Sequence, residues 1–129
     1  MEKLCITTIE NPDGGRSVFG EQHYTLEDFN GMSISERQQA LNFRHRKSDP
    51  GYFSTWHVAG DPTLIIVRQG VLRLTLRNGE FRDFTAGDQF IARDYLETGA
   101  TFDGSVHGHT AEVIGDEVLY AVHLKLESL

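Results

Sequence analysis

The sequence has one cysteine, one tryptophan and three prolines, and no apolar run near the ~18 residues a membrane helix needs. The lone Cys5 excludes an internal disulfide, which suits a reducing compartment, and a cytoplasmic location is expected. Only a few apolar residues follow Met1-Glu2-Lys3, so neither export nor membrane insertion is expected. Positive charge is also scarce, with 12 Lys and Arg against 19 Asp and Glu and a net charge of -7. Phosphate binding depends on a surplus of cations on one face, so the balance argues against a nucleic-acid partner. The one basic cluster, Arg44 to Lys47, reads as a solvated strand end. No Cys-x-x-Cys, serine elbow or glycine-rich phosphate loop is present, and sustained helical periodicity is almost absent.

What the chain does have is alternation and turns. From His57 to Asp94 it reads as four short strands. TLIIVRQ is β-branched and apolar, Gly70 breaks it, and VLRLTLR places Leu72, Leu74 and Leu76 on one face. Asn78-Gly79 is a hairpin signal returning EFRDF alongside, and Thr85 to Asp88 turns the chain into QFIAR. Upstream, LCITTIE is a first strand stopped by Asn11 to Gly15, and RSVFGEQHY continues extended with a break at Gly20. Thr25 to Asp28 and Ser33 to Glu36 fit a helix-capping pattern, each the start of a single helical turn. Ala40 to Lys47 alternates as a strand, with Leu41, Phe43 and His45 on one side. Downstream, YLETGATFDGSV reads as a long loop or weak strand, followed by TAEVI and EVLYAVHLKLE. In the last, Val118, Tyr120, Val122, Leu124 and Leu126 share one face, and Leu119, Ala121, His123 and Lys125 the other.

Eight to ten short strands with regular turns predict an all-β sandwich or barrel in one domain. An immunoglobulin-like sandwich is the main rival to a closed barrel.

Over roughly residues 40 to 126 the sequence resembles the cupins, a family of small β-barrels. Gly51 and His57 keep the spacing of the family's first motif, and Gly70 closes it after Thr63. Ala86-Gly87-Asp88-Gln89-Phe90-Ile91-Ala92 is similar to the second motif, whose ligand histidine would be His109 or His107, displaced by an insertion. Ala59 stands where a second histidine belongs, Thr63 where a glutamate belongs, and Arg93 and Tyr95 where a proline and a glycine belong. The resemblance implies a double-stranded β-helix, or jelly-roll, cupin barrel over 40-129, with 1-39 as an N-terminal strand extension of the same domain. It also implies a homodimer and one divalent metal (zinc, iron, manganese or nickel) or none.

His57, His107 and His109 are the candidate metal ligands, since residues two apart on a strand project to one side and imidazole is a common ligand. Asp61, Asp94 and Glu97 are further candidate carboxylates, and His45 and His123 further imidazoles. A ligand pocket is expected at the inward positions Thr63, Ile65 and Val67, with Phe53, Trp56 and Phe90 as aromatic contacts. Each of these has packing as its alternative role. The functional expectation is a small-molecule-binding barrel; the alternative is a metal-dependent enzyme of dioxygenase or isomerase type.

Overall fold

Turn residues divide the chain into ten strands, and the computed structural model, which describes residues 2-129, contains no helix among them. The strands are β1 (Glu2–Glu10), β2 (Val18–Phe29), β3 (Met32–Ile34), β4 (Ala40–Ser48), β5 (Thr63–Gln69), β6 (Val71–Thr75), β7 (Phe81–Phe84), β8 (Gln89–Ala92), β9 (Thr110–Ile114) and β10 (Leu119–Leu126). They form two sheets, a seven-stranded one in the order β3-β2-β1-β8-β5-β10-β4 and a three-stranded one in the order β7-β6-β9. Single bridges from Phe53 to Glu112 and from His57 to His109 lay the 52-57 segment along the free edge of β9.

The core lies between the sheets. Ile9, Ile65, Val67, Phe90, Ala92, Leu119 and Ala121 face it from the large sheet, and Leu72, Leu74, Leu76, Phe84, Ala111 and Val113 from the small one. The alternation of VLRLT therefore buries the leucines and leaves Val71, Arg73 and Thr75 half-buried. The small sheet's β7 is pinned from outside by Arg73, which pairs with Asp83 at 2.8 Å and lies over the Phe81 ring.

Three local expectations give way to pairing across strands. The capping pattern at Thr25 to Asp28 starts no helical turn, because that stretch pairs with β1 and then β3. Ser33 and Ile34 fall in β3, so the second capping pattern fails likewise. Gly20 does not interrupt β2: it is the residue opposite Thr8, where an added Cβ would sit 2.9 Å from the Thr8 Oγ1 and closer still to the Glu10 carboxylate.

The N-terminal strands β1, β2 and β3 are part of the large sheet. β1 runs parallel to β8 inside the large sheet, Ile9 is fully buried, and the Ile9 carbonyl accepts the Arg93 N–H at 2.8 Å. On the outer side of the same strands, Arg93 pairs with Glu10 and donates to Gln22 at 3.0 Å. No helix among the described residues is long and apolar enough to cross a membrane.

Candidate functional site

Asp94 leaves β8 fully buried and is the most tightly held carboxylate of the interior. Its Oδ2 accepts the Ser17 hydroxyl at 2.7 Å and stands 2.7 Å from the His109 Nδ1, while Oδ1 accepts the Ala59 N–H at 2.9 Å. Burial pushes the carboxyl pKa up, but the hydrogen bond and charge of His109, then Ser17 and Ala59, outweigh it and hold Asp94 below the usual carboxylate range. An ionised carboxylate only accepts, so the His109 Nδ1 carries a proton, and in the neutral ring the lone pair is on Nε2.

His57 repeats that arrangement. Its Nδ1 lies 2.7 Å from the Thr55 carbonyl, which can only accept, so here too the lone pair is on Nε2. The two residues exchange backbone hydrogen bonds, His57 N–H to the His109 carbonyl at 3.1 Å and the reverse at 2.9 Å, and their ring centroids are 4.6 Å apart. Gly108 permits this approach: at φ 92° it adopts a conformation that L side chains rarely take, and an added Cβ would stand 2.6 Å from the His57 carbonyl oxygen.

The same glycine removes His107 from the pair. Extended backbone through His107-Gly108-His109 would have put both rings on one side, but the positive φ turns the chain, and β9 starts only at Thr110. His107 instead accepts the Asp103 N–H on Nδ1 at 2.9 Å and packs against Phe102, with ring centroids 5.9 Å apart. The structure therefore brings His57 and His109 together and leaves His107 in the loop.

The expected pocket residues separate as well. Ile65, Val67 and Phe90 are buried core residues, and Thr63 is half-buried at the end of the same row. Phe53 bridges to Glu112, on the opposite face of β9 from Ala111 and Val113, and is 63 % exposed. Trp56 lies beneath the Arg77 guanidinium, 3.7 Å from the ring centroid, and Arg77 also donates to the His107 carbonyl at 3.0 Å. Of the other candidates, Asp61 pairs loosely with Lys125 at 3.6 Å, Glu97 packs against Gly14, and His45 sits edge-on to Phe43.

Two features were missed in the sequence. Ser17 and Asn11 in the β1-β2 connection hold the chain around Asp94, Asn11 accepting the Tyr95 N–H at 3.0 Å and donating to its carbonyl at 2.7 Å. The turn cluster at 11-15 signalled a bend, but only folding sets it against residue 94. The second feature is a group on β1 and β2: Cys5 Sγ stands 3.3 Å from the His23 Nδ1, and the His23 Nε2 3.2 Å from Glu21. Cys5 and His23 are direct cross-strand partners, and all three side chains lie close enough for one metal ion. They are exposed, without the buried hydrogen bonds that fix His109.

His123 is a half-buried imidazole on β10, whereas the His57 ring is exposed. Burial, then the charges of Arg46 and Arg44, push its pKa down to about 4, and its Nε2 is sealed from solvent without a partner. Because the folded value lies below the ordinary 6.5, the unfolded chain takes up this proton first. The contribution is intact above about pH 6.5 and drains away as the pH falls to about 4. At full strength that is about 3 kcal/mol, and solvent screening at a half-buried ring reduces it to about 1–2 kcal/mol. Urea unfolding of His123→Leu at pH 7 and pH 4 should show the variant losing that much less than the native chain.

The fold and site together define a two-sheet all-β protein with a paired imidazole centre backed by a buried carboxylate. No family model matches the chain, and no curated protein matches it significantly.

Proposed function

We propose that the protein is a small-molecule-binding jelly roll of the cupin type, with a divalent metal held by Nε2 of His57 and Nε2 of His109. The observation that carries this reading is the matched tautomer of the two rings. Each gives its Nδ1 proton to an oxygen, one to a carboxylate and one to a carbonyl, and each keeps an Nε2 lone pair, with the ring centroids 4.6 Å apart. Metal-binding histidines are oriented in this way by their outer hydrogen bonds. Imidazole donors suit zinc, iron and nickel better than manganese. Ala59 and Thr63 provide no ligand where the resembled family has a histidine and a glutamate, so water and the small molecule would fill the positions left open.

Bound there, a metal would supply Lewis-acid activation of a ligand oxygen. The chain's own part is to hold the two imidazoles correctly turned. The second reading, turnover of the ligand by a dioxygenase or isomerase, is favoured by the buried Asp94, which fixes the orientation of His109.

Elemental analysis of untagged protein tests the reading. One equivalent of metal is expected, lost in the His57→Ala, His109→Ala double variant and retained in Cys5→Ser, which removes the rival group on β1 and β2. Unchanged metal in the histidine variant ends this reading, and loss in Cys5→Ser moves the metal to the other group.

A homodimer is the assembly we infer, formed through the outer face of the large sheet. Register places Leu64, Leu124 and Phe43 in one row across β5, β10 and β4, and Ile66, Val122 and His45 in the next. Phe43 is 65 % and Leu41 54 % exposed, so these rows form an uncovered apolar surface. Sedimentation should give a dimer that Phe43→Asp converts to monomer; a native monomer at every concentration contradicts it.

A further inference from the structure

Direct cross-strand partners share a sheet face. His123 stands opposite both Ile65 and Arg44, and Ala121 opposite both Val67 and Arg46. Ile65, Val67 and Ala121 belong to the core, so His123, Arg44 and Arg46 lie on the interior face of the large sheet, where β4 is its edge. The alternation of β4 thus sends its apolar side chains outward and its guanidiniums inward.

The chain turns after β4, with the Tyr52 N–H donating to the Asp49 carbonyl at 3.1 Å, and crosses to the small sheet. It then runs back along β9 towards His57. The Arg46 guanidinium lies over the Tyr52 ring, 5.1 Å from its centroid, so the two sheet edges face each other there. Half-buried Arg46 and exposed Arg44 thus project from the inward face of β4 on the side where the 52-57 segment leads from Tyr52 to His57.

Neither cation has a carboxylate partner among the described residues. The acidic groups in ion pairs are taken by His23, Lys47, Arg73, Arg93, His109 and Lys125, and the hydrogen bond of Arg46 goes to the Ser48 hydroxyl at 3.0 Å. Burial pulls the pKa of Arg46 below its ordinary value, and the His123 Nε2 nearby is sealed with no partner. A half-buried guanidinium without a counter-ion costs stability, and in a chain of net charge -7 there was no shortage of acids to neutralise it.

We propose that the edge between β4 and the 52-57 segment is an oxyanion subsite, in which Arg44 and Arg46 grip a carboxylate or phosphate group of the small molecule that reaches the histidine pair. The inference rests on the reading that a small molecule enters the sandwich interior, and names its chemical class. Guanidinium forks match both groups in two-point geometry.

Calorimetric titration of the full-length protein with succinate and with inorganic phosphate tests it. Saturable binding of at least one is expected, weakened roughly tenfold or more in Arg46→Gln and in Arg44→Gln. Succinate alone binding identifies a carboxylate, and phosphate alone a phosphate. Arg46→Gln removes an unpaired charge, so unliganded it should unfold at the same urea concentration as the native chain or a higher one. Absence of binding by either anion, or equal affinity in the native and both glutamine forms, overturns the proposal. In His57→Ala, His109→Ala protein, arginine-dependent anion binding should persist at lower affinity. That distinguishes failure of the metal reading, which leaves the anion subsite intact, from failure of the subsite itself.

Discussion

Asp94→Ala should destabilise the fold by about 3–5 kcal/mol, the largest effect expected of any single polar substitution here. The carboxylate is fully buried and accepts from a hydroxyl, an amide and an imidazole. Truncation strands all three donors and opens a small cavity in place of the acceptor. Asp94→Asn separates stability from chemistry. The amide keeps the shape, can accept from Ala59 through its oxygen and can donate to Ser17, so its cost should be about 1–2 kcal/mol. Towards His109 it presents either a donor or a shared oxygen, and as a donor it drives the imidazole proton from Nδ1 to Nε2. Metal affinity should then fall about 10–100-fold while the fold persists. Urea unfolding and metal titration read the two effects separately; an alanine variant with the native unfolding midpoint contradicts the argument. The acid response has a defined sign. The folded pKa of Asp94 is depressed, so its contribution is complete above the ordinary carboxylate range and is lost as the pH falls through the folded value.

Gly108→Ala is expected to cost about 3 kcal/mol or more and to abolish metal binding as well. An added Cβ would stand 2.6 Å from the His57 carbonyl oxygen and 2.9 Å from the His57 N and C, all backbone atoms. They cannot yield without breaking the two hydrogen bonds that hold His57 to His109. Gly115→Ala is the control: its φ of 83° is also positive, but nothing lies within 4 Å of the added carbon. It should therefore show only the conformational cost, about 1 kcal/mol. Equal losses in the two variants, measured by urea unfolding, would mean that the contact with His57 contributes nothing.

Much of the strand plan could be read from local pattern. TLIIVRQ is β5 to the residue, and the leucines of VLRLTLR are buried as their alternation requires. Hairpin chemistry was present twice and recognised once. Asn78-Gly79 joins β6 to β7, yet only Gly79 takes a positive φ, with its N–H bonded to the Leu76 carbonyl at 3.0 Å. The turn in which both residues are left-handed is Asn30-Gly31, φ 52° and 85°, between Phe29 and Met32. It lay in the stretch where a serine or threonine followed by an acid suggested helical turns. The hydroxyl-carboxylate spacing is a weak local preference there, and the ladder from β2 to β1 outweighs it. In β4 and β10 alternation was visible but its sense was not. The more apolar faces, Leu41 with Phe43 and Val122 with Leu124, point away from the core, because pairing with β5 sets Ala121 and His123 opposite the inward Val67 and Ile65.

The candidate site divides in the same way. Residue types, the spacing from Gly51 to His57 and the late histidines were enough to name His57, His107 and His109 as candidates, but left Asp94 level with Asp61 and Glu97. The sequence by itself determined the all-β class, most strand limits and the sites of the turns, since each depends on residues only a few positions apart. Only the tertiary structure decided that Asp94 grips His109, that His107 is turned aside, and that Arg44 and Arg46 lie on the inward face of β4 with no carboxylate partner among the described residues. Those facts follow from pairing between residues tens of positions apart, and such pairing is chosen by the packing of the whole sandwich.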